Sequence, residues 1–183
     1  MRESRFPPPH GESMTDPKST PLGQNTDRTI AEAISAGRSM VAADIERGVT
    51  RLLMAQGIAA VSELPLPNGR RADIVGLSAE GLITIVEIKS SVADFRCDQK
   101  WTAYRAYCDR LFFAVVPEFP IEILPPDTGL ILADRYGGCV VRDAPGHPVA
   151  GARRKVMMLR FGRAAAVRLA RLRDPGADGM GEF

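Results

Sequence analysis

Residues 82–89 have the sequence Leu-Ile-Thr-Ile-Val-Glu-Ile-Lys, and this stretch decides the fold. β-Branched residues dominate it, which is typical of a β-strand. Because side chains alternate along a strand, Glu87 and Lys89 share one face with Ile83 and Ile85. Both faces are otherwise largely apolar, so the pattern predicts a central strand in a sheet that is covered on both sides. The apolar face that ends in an acid and a base needs a cation or a chemical role to offset the cost of burying them.

The preceding sequence predicts a helix and two further strands. Apolar residues recur at helical spacing over 41–53, with Gly57 as the stop. Strands are predicted at 58–66 and 71–77. They are separated by Asn68-Gly69, a strong signal for a hairpin turn. Tight turns therefore make the first three strands an antiparallel meander.

The following sequence predicts a crossover and a basic C-terminal helix. A helical stretch near 94–108 leads to a strand at 111–116, and the crossover brings this strand parallel to a neighbour. Extra strands are predicted at 129–133 and 139–142, and a helix at 152–172. The expected fold class is α/β, with a mixed central sheet, flanking helices and the order α-β-β-β-α-β up to the fourth strand.

The ends of the chain differ in composition from the middle. Residues 1–28 contain five prolines among Ser, Thr, Asp and Gly, which predicts a disordered N-terminal tail. Residues 174–183 are rich in Gly and Asp and predict a flexible C-terminal tail. A single domain is therefore expected over 29–173, a length that suits one hydrophobic core.

Composition excludes several classes of protein. No apolar run is long enough to span a bilayer, and the N-terminus lacks a signal peptide, so a cytoplasmic protein with no membrane partner is expected. Three cysteines without metal-type spacing are expected to be reduced thiols, with Cys108 in the core. Only two histidines are present, which makes a histidine-based metal site unfavourable.

Asp73 supplies a second carboxylate near Glu87. It lies just after the predicted hairpin turn, so the two acids are expected side by side on adjacent strands. Two close carboxylates repel each other, and a divalent cation relieves that repulsion. Mg²⁺ prefers such oxygen ligands and is the expected cofactor, with Mn²⁺ as a possible substitute. Lys89 on the same face can hold an attacking water or balance charge in a transition state.

Four segments carry a resemblance to the MmcB-like family of bacterial DNA-repair proteins: RRADIVG at 70–76, VEIKSS at 86–91, DQKW at 98–101 and GLILAD at 129–134. More broadly, Asp73 followed by Glu87-Ile88-Lys89 resembles the signature of the PD-(D/E)XK nuclease superfamily. The element order is similar to that superfamily's restriction-endonuclease-like core. Ala72 stands where the signature's proline would be, a small departure from the pattern.

The resemblance implies a metal-dependent DNA nuclease, a deoxyribonuclease that hydrolyses phosphodiester bonds in bacterial DNA repair. Asp73 and Glu87 are then metal ligands, and Lys89 assists the water. By the same resemblance Glu46 joins the metal site; otherwise it is an exposed acid paired with Thr50 or a nearby arginine. Gln99 likewise contacts DNA or the attacking water, or else lies at a solvated helix end.

Candidate DNA-binding residues lie in two places. Ser90 and Lys100 flank the second helix, whereas Ser91 is expected to cap it. Residues 153–173 contain eight Lys or Arg and no acid, so they either contact phosphates or form a solvated face. The candidates there are Arg153, Arg154, Lys155, Arg160 and Arg163.

Two further expectations concern packing. The apolar stripe of Val156, Leu159, Val167 and Leu172 is expected to pack on the domain rather than enter a membrane. Glu63 is expected to pair with Arg70 or Arg71.

Two alternatives to an active nuclease stay open. The first is a catalytically inactive module that keeps the nuclease fold to bind DNA or a repair-protein partner. The second is an interaction protein of unrelated function, with the acids in ordinary salt bridges.

Overall fold

The computed structural model of the protein describes residues 22–98 and 100–176. Gln99 and the outer parts of both predicted tails, 1–21 and 177–183, lie outside the described residues. The chain forms two compact units, 1–34 and 35–183. In the first unit, residues 22–34 are helical, although the sequence predicts a tail as far as residue 28. The sheet and all residues discussed below belong to the second unit, and the domain limits of 29–173 stay a prediction.

The helices and strands follow the predicted order. They are α1 (Leu22–Ala55), β1 (Ala59–Pro65), β2 (Arg71–Leu77), β3 (Ile83–Ile88), α2 (Val92–Cys97), a 3₁₀ helix (Lys100–Tyr107), β4 (Arg110–Val115), a short 3₁₀ turn (Ile121–Ile123), β5 (Gly129–Ala133), β6 (Gly138–Arg142) and α3 (Gly151–Arg173).

The six strands form one mixed sheet in the order β1-β2-β3-β4-β5-β6. β1, β2 and β3 are an antiparallel meander, β4 lies parallel to β3, β5 lies parallel to β4, and β6 is antiparallel to β5. The predicted mixed α/β fold with a parallel crossover is therefore confirmed.

Helices cover both faces of the sheet. On one face, Ile45 and Val49 of α1 pack on Val86. On the other face, Trp101 of the 3₁₀ helix and Phe161 of α3 belong to the cluster around the sheet. Every residue of β3 is buried, which confirms that it is a central strand covered on both sides.

The β1–β2 hairpin has a three-residue loop, one residue longer than the predicted Asn-Gly turn. The Leu66 amide donates to the Arg70 carbonyl at 2.7 Å, and the Gly69 amide donates to the Leu66 carbonyl at 3.1 Å. Gly69 has a φ of 78°, a conformation that glycine adopts without steric cost. Asn68 instead uses its side chain, whose Oδ1 accepts the Arg70 amide at 3.1 Å.

The predicted second helix is interrupted. α2 begins at the N-cap Ser91, whose hydroxyl accepts the Asp94 amide at 3.2 Å, as the sequence predicts. The helix ends at Cys97 because Asp98 is extended, with φ −111° and ψ 97°. The Oδ1 atom of Asp98 accepts the Lys100 amide at 2.9 Å, a local bond that competes with helix continuation.

Helix α3 packs through a different face from the one predicted. Met157, Phe161 and Ala164 are buried at spacings of four and three residues. Val156, Leu159 and Leu172 of the predicted stripe are instead 41%, 57% and 83% exposed, and Val167 is half-buried, so the prediction of that stripe is wrong. The larger side chains Met157 and Phe161 fill the space above the sheet, which turns the stripe outwards.

Among the described residues, no helix combines the length and the apolar character that a membrane crossing requires.

Candidate functional site

The site lies where β2 separates from β3. Pairing between these strands extends from Leu77 opposite Ile83 to Ile74 opposite Val86. Beyond that point, the side chain of Asp73 takes over: its Oδ2 accepts the Ile88 amide at 2.8 Å. A carboxylate is thereby fixed at the open end of the strand pair, beside the central strand.

Asp73 and Glu87 come together at this position. They follow directly on the last paired residues, Ile74 and Val86, and both acids line the same two cavities. Burial raises the pKa of Asp73 to about 6. Burial and the negative charge of Asp73 together raise the pKa of Glu87 to about 8. The two acids therefore behave as neighbouring charges that are poorly compensated.

Lys89 completes the cluster from the same strand. Its Nζ lies 3.1 Å from Glu87 Oε1 and 2.8 Å from Asp98 Oδ2, and its side chain is 3% exposed. Burial opposes protonation of this amine, but the nearby carboxylates outweigh it and raise the pKa of Lys89. Lys89 is therefore a cation at neutral pH.

Asp98 is a member of the cluster that the sequence did not single out by role. Burial alone would raise its pKa, but the hydrogen bonds from Lys89 and from the Lys100 amide, together with the charge of Lys89, outweigh burial and lower the pKa of Asp98. Its two carboxylate oxygens link Lys89 to the amide of Lys100. The sequence did contain one signal of a helix end here, because Asp is unfavourable inside a helix and Asp98 lies within the predicted helical stretch.

One oxygen of the cluster lacks a partner. Among the described residues, Glu87 Oε2 is buried and accepts no hydrogen bond. Buried hydrogen-bond acceptors normally have a partner, so this oxygen is available as a ligand for a cation. No group of three or more His, Cys, Asp or Glu within 22–98 and 100–176 is arranged to hold a metal ion. Mg²⁺, however, commonly takes one or two carboxylates with water and substrate phosphate, which fits the donors of Asp73 and Glu87.

Two cavities meet at these acids. Asp73, Glu87, Asp94 and Asp98 line both cavities. The smaller, about 420 Å³, extends towards α1, and the larger, about 630 Å³, extends towards the β1–β2 loop.

Glu46 of α1 and Glu63 of β1 line the smaller cavity together with the acids of the cluster. Glu63 also pairs with Arg71, which confirms the predicted ion pair. Its backbone has a φ of 51°, unusual for a residue other than glycine. Glu46 is half-buried, and its predicted part in metal binding stays a prediction.

The residues expected to bind DNA near α2 differ in their surroundings. The amide and hydroxyl of Ser90 lie 3.1 Å and 3.3 Å from Asp94 Oδ2, so this residue is engaged within the protein. Lys100 is exposed and lines the larger cavity. Gln99 lies outside the described residues, and its role stays a prediction.

The basic residues of α3 are not assembled with the acids: neither cavity is lined by a described residue of that helix. Arg154 donates to both Asp109 oxygens, at 2.7 Å and 2.6 Å. Arg160 donates to the Pro65 carbonyl at 3.2 Å, and the Arg153 guanidinium lies 6.0 Å from the Tyr107 ring centre. These three side chains therefore have structural contacts. Lys155 and Arg163 are exposed, and their predicted contact with DNA stays a prediction.

Residues 30–176 match the sequence profile of one family, described as DNA repair protein MmcB-like. The chain belongs to the MmcB-like family. The match confirms the resemblance seen in the four sequence segments, and it assigns the chain to a DNA-repair family. All members of the acidic cluster lie inside the matched region.

A solved structure shares the fold of this MmcB-like protein. It is a protein of unknown function from Silicibacter pomeroyi, 46% identical in sequence, with a TM-score of 0.73. The similarity covers 78% of this chain and 96% of that chain. A comparison with curated proteins gives no match.

Proposed function

We propose that this MmcB-like protein is a Mg²⁺-dependent deoxyribonuclease that hydrolyses phosphodiester bonds in DNA repair. The observation that carries the proposal is the half-buried Asp73 and the buried Glu87 lining the same cavities beside Lys89, with Glu87 Oε2 left without a partner among the described residues. The family supports a role in DNA repair, and the resemblance to the PD-(D/E)XK signature supports hydrolysis.

Asp73 and Glu87 have the oxygen donors for Mg²⁺, with Mn²⁺ as a possible substitute. When bound, such an ion offsets negative charge on the phosphoryl oxygens and lowers the pKa of a coordinated water. Asp73 is oriented by the Ile88 amide, which leaves its second oxygen for the ion. Glu87 offers Oε2, because its other oxygen is taken by Lys89.

Lys89 acts as a fixed cation in this proposal. Its raised pKa means that it carries a proton to donate as a hydrogen bond and does not serve as a general base. A buried ammonium stabilises negative charge that develops on the phosphate more strongly than an exposed one does. Asp98 positions this amine from the opposite side to Glu87.

One feature favours an inactive, DNA-binding module instead. Lys89 bridges Glu87 and Asp98 in a compact ion-pair cluster, and such clusters also occur without catalysis. This alternative predicts DNA binding without cleavage, and binding that persists in an Asp73→Ala, Glu87→Ala double variant.

The test is cleavage of single-stranded, duplex, flapped and branched DNA by the purified protein with Mg²⁺ or Mn²⁺. We expect cutting that falls about 100-fold or more in Lys89→Ala and Glu87→Gln, the scale of losing one transition-state contact. Glu122→Gln, at an exposed acid in the short 3₁₀ turn, is the matched control and should cut normally. Absence of cutting on every substrate, or equal cutting by Lys89→Ala, contradicts the proposal.

A further inference from the structure

The larger cavity beside the acids has a basic wall. Arg70 and Arg71 enter it from the β1–β2 hairpin, and Lys100 enters it from the start of the 3₁₀ helix. The acids shared with the smaller cavity line this one as well. A polyanion that enters here therefore meets cationic side chains in the same cavity as Asp73 and Glu87.

Arg70 has an unmet hydrogen-bonding group in this wall. Its Nη1 is buried and has no hydrogen-bond partner among the described residues. A buried guanidinium nitrogen without an acceptor is unfavourable, and phosphate oxygens are acceptors that match the geometry of this group. Two hydrogen bonds fix the main chain of Arg70. Its carbonyl accepts from the Leu66 amide, and its own amide donates to Asn68 Oδ1.

Arg71 and Lys100 have different surroundings. Arg71 is paired with Glu63, so its charge is already compensated. The Lys100 side chain is exposed, while its amide is held by Asp98 at 2.9 Å. Lys100 is thus placed next to the acid that positions Lys89, and it lines the cavity as a further basic residue.

The smaller cavity is more acidic: one basic and six acidic residues line it, against three basic and four acidic residues in the larger cavity. Glu46 and Glu63 line it in place of Arg70 and Lys100, and the lysine among its lining residues, Lys89, is bound to two acids. Fixed negative charge repels a phosphate backbone, whereas clustered positive charge attracts it. The two sides of the reaction centre are therefore unequal for a DNA strand.

We propose that Arg70 and Lys100 form a subsite for a DNA backbone phosphate that neighbours the cleaved one, and that the strand reaches the acids through the larger cavity. This inference rests on the proposed function for the identity of the ligand. In this proposal the β1–β2 hairpin and the 3₁₀ helix, rather than α3, receive the DNA backbone next to the acids.

The test measures the affinity of the full-length protein for a fluorescein-labelled DNA duplex and single strand by anisotropy, in EDTA, over a range of salt concentrations. We expect Arg70→Gln to weaken duplex binding about tenfold and to reduce the slope of log affinity against log salt by about one. Arg70→Lys should restore the slope but only part of the affinity, because lysine lacks the forked donors. Lys100→Gln should give a smaller loss with a similar change in slope.

Arg110→Gln is the matched control, because it removes the same charge from an exposed position opposite Thr84, at the far end of β3 from Glu87. It should change affinity less than twofold. Since Lys100 is exposed, its substitution does not burden folding and keeps the test valid if Arg70→Gln is poorly folded.

The outcomes separate this inference from the nuclease proposal. Binding that depends on Arg70 and Lys100 without any cleavage supports the subsite and overturns the nuclease. Cleavage with unchanged KM and salt slope in both Arg70→Gln and Lys100→Gln overturns the subsite and leaves the nuclease standing. Absence of DNA binding by the wild-type protein also overturns the subsite.

Discussion

Asp73 holds the Ile88 amide at 2.8 Å, at a point where a neighbouring strand would otherwise supply the acceptor. This bond fixes Asp73 beside Glu87 independently of any bound cation. The half-buried Asp73 and the buried Glu87, whose pKa values are raised to about 6 and about 8, therefore stay close together in the cation-free protein. The local arrangement of the two acids is therefore unfavourable for folding when no cation is bound.

Glu87→Gln should raise the melting temperature in EDTA and should abolish the rise in melting temperature that Mg²⁺ gives the wild type. In EDTA at pH 7 the variant removes a buried acid whose pKa is far above its usual value, so we expect a gain on the order of 2 kcal/mol, or several degrees in melting temperature. With millimolar Mg²⁺ the wild type should gain stability by mass action and the variant should not. Differential scanning fluorimetry measures both effects. A variant that melts below the wild type in EDTA contradicts this prediction, and Glu122→Gln serves as the neutral control.

The cation-free protein should lose stability as the pH rises from about 5 to about 8. Asp73 and Glu87 bind protons more tightly when folded, so the folded state holds protons that the unfolded state has released above the ordinary pKa values of 3.8 and 4.5 for these side chains. Their stabilising protonation disappears as the pH passes about 6 and then about 8. Lys89 adds no slope here, because its stabilisation is fully present below 10.5.

Urea unfolding in EDTA across this range measures the slope. We expect a loss on the order of 2–4 kcal/mol between pH 5 and pH 8 for the wild type. The slope should largely vanish in an Asp73→Asn, Glu87→Gln double variant. A wild-type protein whose stability rises with pH over the same interval would show that the acids are paired more favourably than their burial implies.

Asp109 should be a major determinant of stability. Its carboxylate accepts the amides of Ile83 and Val149 at 2.8 Å and 3.2 Å, as well as two donors of Arg154. Asp109→Ala leaves these donors unsatisfied, and we expect a loss of about 3 kcal/mol in urea unfolding at pH 7. Arg153→Ala, next to Arg154 but exposed, should lose less than about 1 kcal/mol.

The same carboxylate predicts sensitivity to acid. Burial would raise the pKa of Asp109, but the hydrogen bonds from Arg154, Ile83 and Val149 and the charge of Arg154 together outweigh it and lower the pKa below 3.8. Its stabilisation is therefore present above pH 3.8 and is lost as the pH falls through the folded-state pKa. Asp109→Asn should consequently have a flatter stability profile than the wild type below pH 4. Equal profiles would rule out this role.

Two helical glycines should respond oppositely to alanine. A Cβ at Gly48 in α1 would lie 2.0 Å from the Asp134 carbonyl oxygen and 2.4 Å from that of Gly137, both main-chain atoms that cannot rotate away. We expect Gly48→Ala to destabilise the protein by about 2 kcal/mol or more. A Cβ at Gly162 in α3 meets nothing within 4 Å, and Gly162→Ala should stabilise by up to about 1 kcal/mol. Thermal melting distinguishes the two, and a neutral Gly48→Ala would mean that α1 moves away from this turn at little cost.

Local sequence patterns were sufficient for the meander and for the acid pair. β2 is short, its hairpin to β3 is tight, and strand alternation then requires residues 73 and 87 to face the same way. The crossover to β4 followed from the length of the intervening helical segment. Each of these inferences depends on contacts between elements that are adjacent in sequence.

Features that depend on distant contacts were not predicted. Helix α3 has two apolar faces, and only the space above the sheet selects Met157 and Phe161 over Val156 and Leu159. The role of Asp98 depends on a break in the helix and on the reach of Lys89 from another strand. The buried nitrogen of Arg70 likewise results from the surroundings of the hairpin, which its sequence does not specify.

β1 is an edge strand of the sheet, and arginine side chains of α3 hydrogen-bond to its carbonyl groups. Arg160 donates to the Pro65 carbonyl, and Arg168 donates to the carbonyls of Ser62 and Glu63. Uncovered border strands are templates for strand addition by other molecules. We therefore expect a chain truncated before Gly151 to expose these carbonyl acceptors to intermolecular strand pairing and to aggregate more readily than the full chain.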